Sequence, residues 1–363
     1  MAQSVASPKS QVVLVPAESL WEFCESAARA AGFSQSDARD LTAALVGASL
    51  RSLPGQGQGV QSLPKYVGRV RSGLIDARAE ITEVAGRGAT RLLDARRAHG
   101  GVAATRAMRL ALDLASTHGI GAVGVRNSTH LGAAGYFAEL ATERGCIGMV
   151  FTNAGPEIAP WGATEVVVGT NPWAVAVPSR QGWPVVLDMA NSTSGKGMVR
   201  WNQLIGSPIP DDWALTVDGQ RTTDPAAALA GTLFPLGGPK GYAMAVMVDL
   251  LTGALTGSAV GTDCFGDDHQ NVGHLVLAVS IEAFGALNEF LDRVELLIAQ
   301  IRSSPPAGPD TRILLPGELE HERRAERTAS GVPIPVERFD GLLEMASVLE
   351  LDRQLTERLE ALR

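Results

Sequence analysis

The chain has 363 residues, 45% of them hydrophobic, enough to bury a sizeable core in two domains or one elaborate one. Its 31 Lys and Arg stand against 39 Asp and Glu, a formal charge of -8, so no overall field draws it to nucleic acid or to an acidic membrane. Cys24, Cys146 and Cys264 are odd in number, far apart and without a CxxC pair; this argues against a disulfide framework or a metal knuckle and for a reducing, cytoplasmic setting.

Near the start, the apolar run at 12–15 is too short for a signal-peptide core. Leu20, Phe23, Cys24, Ala27, Ala28 and Ala31 recur at helical spacing with Gly32 where a C-cap belongs, which predicts a helix over 17–31. Ser34 with Asp37 three residues on resembles a capping box, and Ala38, Leu41, Leu45 and Ala48 continue one face of a second helix. Pro54, Gly55, Gly57 and Gly59 then break the pattern into a loop. Ala103, Ala107, Leu110, Ala111 and Leu114 mark a helix ending at Gly119, followed by a strand at 122–125. A helix over 133–144, closed by Gly145, and a fully buried strand over 146–151 repeat that order. Short apolar runs at 166–168, 173–177 and 185–187 predict further strands of a central sheet. The longest apolar stretch, 242–255, is interrupted by Asp249 and falls short of the roughly 20 residues of a membrane span, so it reads as a buried helix. Residues 284–301 are helical, and the charged run 318–327 reads as a solvated helix face.

Gly119, Gly121 and Gly124 match GxGxxG, but they follow a helix and lead into a strand, the reverse of the pyrophosphate-binding context. Gly119 is explained as a C-cap. Around Lys240, by contrast, Gly237, Gly238 and Gly241 open a helix, where free backbone N–H groups and a cation suit a phosphate; an ordinary helix start is the equal alternative.

The chemistry concentrates in Asn-Ser-Thr-His-Leu-Gly-Ala-Ala-Gly-Tyr-Phe (127–137), Phe-Thr-Asn-Ala-Gly-Pro (151–156) and Val-Gly-Thr-Asn-Pro-Trp-Ala-Val-Ala-Val-Pro (168–178). To these are added Leu-Asp-Met-Ala-Asn-Ser (187–192), Gly-Gly-Pro-Lys-Gly-Tyr (237–242) and Leu-Pro-Gly-Glu (315–318). In this order they resemble the malate/L-lactate dehydrogenase type-2 family, also called sulfolactate-dehydrogenase-like, which includes ureidoglycolate dehydrogenase, 2,3-diketo-L-gulonate reductase and the piperideine- and pyrroline-2-carboxylate reductases.

The resemblance implies an α/β (α+β) fold with a non-Rossmann sheet, mixed or largely antiparallel. It implies a helical domain built from both chain ends, 1–120 with 300–363, beside a dinucleotide-binding domain at 121–299. It further implies a homodimer that binds NAD or NADP and a small-molecule substrate. Val186, Leu187, Asp188, Met189, Ala190, Asn191 and Ser192, with Pro239, Lys240, Gly317, Glu318 and Leu319, would touch the dinucleotide. Asn153, Thr170 and Asn171 follow apolar strands and either line a ligand cleft or only close turns. His130 matches the family's active-site histidine, and an imidazole suits proton transfer to or from a ketone or imine.

One stretch departs from the family, whose members carry Ser-His-Gly, then Arg, then Tyr after the second helix. Here the histidine position falls on Gln56 or Gln58 depending on register, the arginine position falls on Ser62, and Tyr66 remains. A glutamine amide can hydrogen-bond an oxyanion but supplies no proton, and without the arginine a planar carboxylate loses its bidentate partner. Protonation then falls to His130, Tyr66 or water, with Lys65 or Arg51 as replacement cations. The function expected is an NAD(P)-dependent reductase of a carbonyl or cyclic imine; a cofactor-binding scaffold without turnover and a cofactor-independent isomerase are the alternatives.

Overall fold

The computed structural model describes residues 12–52, 59–266 and 269–363. Strand β1 (Val12–Val15) leads into α1 (Ala17–Ala30), whose buried face of Leu20, Phe23, Cys24, Ala27 and Ala28 is the stripe that spacing predicts. Ser34 caps α2 (Gln35–Arg51), its Oγ accepting the Asp37 N–H at 3.1 Å and donating to the Asp37 carboxylate at 2.7 Å. Gln56 and Gln58 lie outside the described residues. A 3-10 turn (Val60–Ser62) then enters α3 (Leu63–Arg71), with Pro64 in the first turn, where a missing N–H breaks no helical hydrogen bond.

Next come β2 (Thr82–Arg87), β3 (Thr90–Asp94), α4 (Gly100–His118), β4 (Ile120–Ser128), α5 (Ala134–Glu139) and β5 (Cys146–Thr152). They are followed by β6 (Pro156–Ile158), β7 (Val168–Gly169), β8 (Trp173–Val177), β9 (Val185–Met189), α6 (Lys196–Leu204), β10 (Ala214–Leu215), α7 (Pro225–Ala230) and β11 (Thr232–Leu233). The last third holds α8 (Pro239–Asp249), β12 (Val272–Ser280), α9 (Leu287–Arg302), α10 (Glu318–Ser330), β13 (Val332–Pro335), α11 (Val336–Val348) and α12 (Arg353–Glu360).

Seven strands form the central sheet in the order β2-β3-β4-β12-β5-β8-β9. Every neighbouring pair is antiparallel except β3 with β4, so the sheet is mixed and largely antiparallel as expected, with no doubly wound parallel core. Strand β1 pairs with β13 across nearly the whole length of the chain. The glycines that imitate a Rossmann fingerprint are packing devices. A Cβ on Gly121 would stand 2.0 Å from the Ala111 carbonyl oxygen of α4, one on Gly148 would stand 2.1 Å from that of Ala138 in α5, and Gly119 is a left-handed C-cap. Small residues let α4 and α5 lie close on the sheet, over Val123, Val125, Val150 and Val276.

Two expectations need correction. The helix expected over 133–144 stops at Glu139 and continues only as a 3-10 turn (Thr142–Arg144), ended by left-handed Gly145. The stretch 242–255 forms α8 and a π-helical turn (Leu250–Ala254), but it is not buried: Met244, Met247, Leu250, Leu251 and Leu255 are all exposed in the single chain. Apolarity all round shows that a helix needs neighbours without showing which chain supplies them. The larger core joins α1, α2, α4, α11 and the sheet across the expected domain boundary at 120/121, while a smaller one, around Ile158, Val199, Ile209 and Leu233, lies within 121–299.

Candidate active site

Beyond β4, residues 129–131 are pinned against the start of α4. Thr129 Oγ1 accepts the Gly100 N–H at 3.1 Å and donates to the Ala98 carbonyl at 3.2 Å. A Cβ on Gly100 would stand 2.1 Å from the Thr129 carbonyl oxygen and 2.7 Å from His130 C and Leu131 N, so only glycine lets the helix and this loop meet. His130 is thereby delivered to Tyr66 on α3, whose phenol oxygen lies 2.8 Å from Nδ1, with the two rings 6.2 Å apart and tilted by 26°.

Solvent reaches His130 on one side while protein encloses the rest, the setting of a cleft floor. Burial, and then the positive charges of Lys65 and Arg69, lower its pKa to about 4. Burial pushes the Tyr66 phenol above its ordinary range, with Arg69 opposing. At neutral pH the pair is therefore a neutral imidazole beside a protonated phenol.

Lys65 and Arg69 stand one turn apart on α3 and both face the imidazole. Gln270, just before β12, holds Arg69: with its carboxamide oxygen turned toward the guanidinium, it accepts from Nε, Nη1 and Nη2 at 3.0–3.1 Å. The other end of the same carboxamide lies 3.5 Å from the His130 backbone nitrogen. Among the described residues no carboxylate is paired with Arg69. Farther out, Lys65, Lys196 and Arg200 surround Glu157, whose carboxyl burial raises and these cations lower.

The segments expected at the dinucleotide converge beside this pair. Asp188 accepts the Gly135 N–H of α5 at 2.9 Å; open to water yet crowded by protein, its carboxyl is pushed by burial up to about 6. The Leu236 N–H donates to the Asn191 carbonyl at 2.9 Å, and a Cβ on Gly241 would meet that oxygen at 2.6 Å, so the first turn of α8, with exposed Pro239 and Lys240, lies against the end of β9. From the other side the Val186 N–H donates to Pro316 at 3.1 Å, and Gly317, at φ +87°, rests on Val186. Val186 through Ser192, Pro239 with Lys240, and Gly317 with Leu319 thus form one surface.

The family model for malate/L-lactate dehydrogenase matches residues 15–343. The chain belongs to that family. It is 34% identical over 303 residues to the L-sulfolactate dehydrogenase of Methanothermobacter thermautotrophicus, covering 82% of this chain and 87% of that one. To the (2R)-3-sulfolactate dehydrogenase (NADP(+)) of Chromohalobacter salexigens it is 36% identical over 312 residues, covering 84% and 90%. The crystal structure of malate dehydrogenase from Entamoeba histolytica superposes with a TM-score of 0.91 at 29% identity, covering 94% of this chain and 99% of that one. The protein is accordingly an oxidoreductase of the malate/L-lactate dehydrogenase type-2 family.

In this dehydrogenase several expected ligand contacts are engaged within the fold. The Asn153 amide donates to Asp249 at 2.9 Å, to the Ala259 carbonyl at 2.9 Å and to Cys264 Sγ at 3.1 Å, while its oxygen accepts the Gly273 N–H at 2.9 Å. Asn171 accepts from Ala154 and donates to Ala245, and the buried Thr170 gives its carbonyl to the Asn191 N–H. Of the two readings left open for these three residues, turn closure is the one their hydrogen bonds fulfil. Asn191 spends its amide on the Asn171 carbonyl and Trp173, and Ser192 its hydroxyl on the Ser194 carbonyl. Glu318 accepts the Leu315 N–H at 2.9 Å and faces Arg302 and Arg312. Ser62 sits half-buried at the foot of α3. Arg51, one of the two replacement cations considered, is paired with Glu139 instead.

Sequence reasoning missed Arg69, Gln270 and His99. Arg69 follows Tyr66 by three residues, a signal available once α3 is phased; Gln270 carries none. His99 is buried with no local motif around it; its Nδ1 accepts the Gly101 N–H at 3.0 Å and its ring meets Tyr66 edge-on at 4.3 Å.

Three buried or half-buried histidines carry a consequence for acid stability. Burial first, then neighbouring positive charge, lowers His99 and His274 to about 3 and His130 to about 4. An unfolded histidine titrates near 6.5, so their contribution to stability is whole above about pH 6.5 and drains away as pH falls toward 3–4, with a slope of up to about 4 kcal/mol per pH unit for three protons. The midpoint of urea unfolding is expected to fall clearly between pH 7 and pH 5. An unchanged midpoint across that interval would show that these histidines are not held neutral.

Proposed function

We propose that this dehydrogenase uses NAD or NADP to interconvert a small secondary alcohol and its ketone, or an amine and a cyclic imine, with His130 as the acid/base. The observation that carries the reading is the 2.8 Å His130–Tyr66 contact at a cleft floor bordered by Val186 to Ser192, Pro239 with Lys240, and Gly317. These residues fit a dinucleotide: the α8 N-terminus offers N–H groups and the Lys240 ammonium to phosphate, and the water-accessible Asp188 carboxylate suits a ribose hydroxyl. When bound, the nicotinamide gives or takes a hydride. In the tautomer whose Nδ1–H donates to Tyr66, the Nε2 lone pair of His130 is free to take the alcohol proton as the carbinol carbon loses hydride. In the reverse direction the imidazolium returns it. Tyr66 orients the ring and, staying protonated, adds no negative charge to the floor. The pair straddles the two expected segments, Tyr66 coming from 1–120 and His130 from 121–299.

NADH and NADPH titrations, followed by oxidation of whichever binds with a panel of keto acids, ketones and cyclic imines, test the reading. Binding without turnover on any of them would leave a scaffold; absence of binding would remove the dinucleotide altogether.

The working unit of this reading is a cytoplasmic homodimer, and the bare apolar face of Met244, Met247, Leu251 and Leu255 is its contact. Met247→Asp with Leu255→Asp is expected to convert a dimer into a monomer by light scattering. A wild-type monomer at micromolar concentration would rule that contact out.

A further inference from the structure

With Ser62 at the family's arginine position, a different group must meet the negative end of a substrate, and α3 supplies one. Arg69 is half-buried beside the acid/base pair, and its partner among the described residues is the neutral carboxamide of Gln270. That contact takes three of the five guanidinium N–H donors at 3.0–3.1 Å, fixing the direction of the fork while leaving its charge intact. The same carboxamide reaches to 3.5 Å from the His130 backbone nitrogen, so cation and imidazole are set by one side chain. A charge placed this way, oriented but not neutralised, is complete only when an anion arrives. Lys65, one turn earlier, adds a second cation on the same side.

We propose that Arg69, seconded by Lys65, is the anion anchor of this dehydrogenase, and that its substrate is a small acid whose carboxylate or sulfonate adjoins the carbon that exchanges hydrogen. The inference rests on the acid/base reading of His130 given above and adds the substrate class to it. It also supplies a direction for the proton: an anion beside Lys65 and Arg69 offsets the charges that hold His130 neutral, so binding raises the imidazole toward a state able to donate.

The test combines binding and turnover in the dinucleotide-loaded protein. Oxalate, the smallest mimic of a 2-oxo acid, is titrated calorimetrically into wild type, Arg69→Lys and Arg69→Ala. Affinity is expected to fall about ten- to a hundredfold in Arg69→Ala and less in Arg69→Lys, with added guanidinium restoring part of the loss. In parallel, kcat/KM is measured for pyruvate and for methyl pyruvate, the acid being expected to lose by that factor and the ester to change less than about threefold. Equal losses on acid and ester would make Arg69 a structural prop and overturn the proposal, as would a wild type that ignores oxalate. Arg69→Gln, of similar shape, carries the comparison should Arg69→Ala not fold. Oxalate binding that depends on Arg69 in a protein that never oxidises a reduced nicotinamide would sink the hydride-transfer reading and leave the anion anchor standing.

Discussion

Replacing His130 with Ala is expected to lower kcat by about 10²- to 10⁴-fold while leaving dinucleotide affinity within about threefold. The asymmetry follows from the geometry. The imidazole bonds to Tyr66, whereas Val186 to Ser192, Lys240 and Gly317 are held by other main-chain contacts. Tyr66→Phe is the companion variant: it keeps the packing against His99 and removes the 2.8 Å contact, so it should cost less in rate than losing the imidazole. A His130→Ala enzyme with wild-type turnover would take the histidine out of the mechanism. A variant that loses rate and cofactor binding together would instead show that His130 shapes the cleft.

Gly100→Ala is expected to act nearly as strongly on the rate without touching any reacting atom. The added methyl would stand 2.1 Å from the Thr129 carbonyl oxygen and 2.7 Å from His130 C, both backbone, so α4 or the 129–131 loop must move. Such overpacking costs about 1–3 kcal/mol of stability, and a displacement of about 1 Å at a catalytic group can cost about a hundredfold in kcat. Gly101→Ala is the matched control. Its methyl meets the His99 ring at 3.2 Å and the Leu131 carbonyl oxygen at 3.3 Å, contacts that a few tenths of an ångström relieve. Unfolding midpoints and kcat measured on both variants separate the two cases, and equal behaviour would mean that the close approach at Gly100 does not position His130.

Local physics made much of the fold readable from the residues. The capping box at Ser34, the left-handed stop at Gly119 and the alternation along β8 each depend on neighbours within a few positions, and each lies where spacing placed it. The strand order was not readable, because β12 is inserted between β4 and β5 from more than a hundred residues away. His130 and Tyr66 stood out through their motif, yet their contact spans 64 positions. Gln270 illustrates the limit: a lone glutamine between a loop and a strand carries no pattern, and only the tertiary fold sets it against Arg69. Asn153 shows the opposite error. A polar residue after an apolar strand looks like a ligand contact, although the buried cluster of Asp249, Cys264 and Gly273 needs its amide for internal satisfaction.

The pairing of β1 with β13 orders events during synthesis. Val15 and Val332 are joined although roughly 320 positions separate them, so at about 5–20 residues per second the first strand waits on the order of tens of seconds for its mate to leave the ribosome. Through that interval the backbone edge of Val12–Val15 has no ladder to complete, and α1 must fold beside an unfinished seam. A nascent chain arrested before Val332 should therefore be far more sensitive to proteolysis near this strand than one released after it.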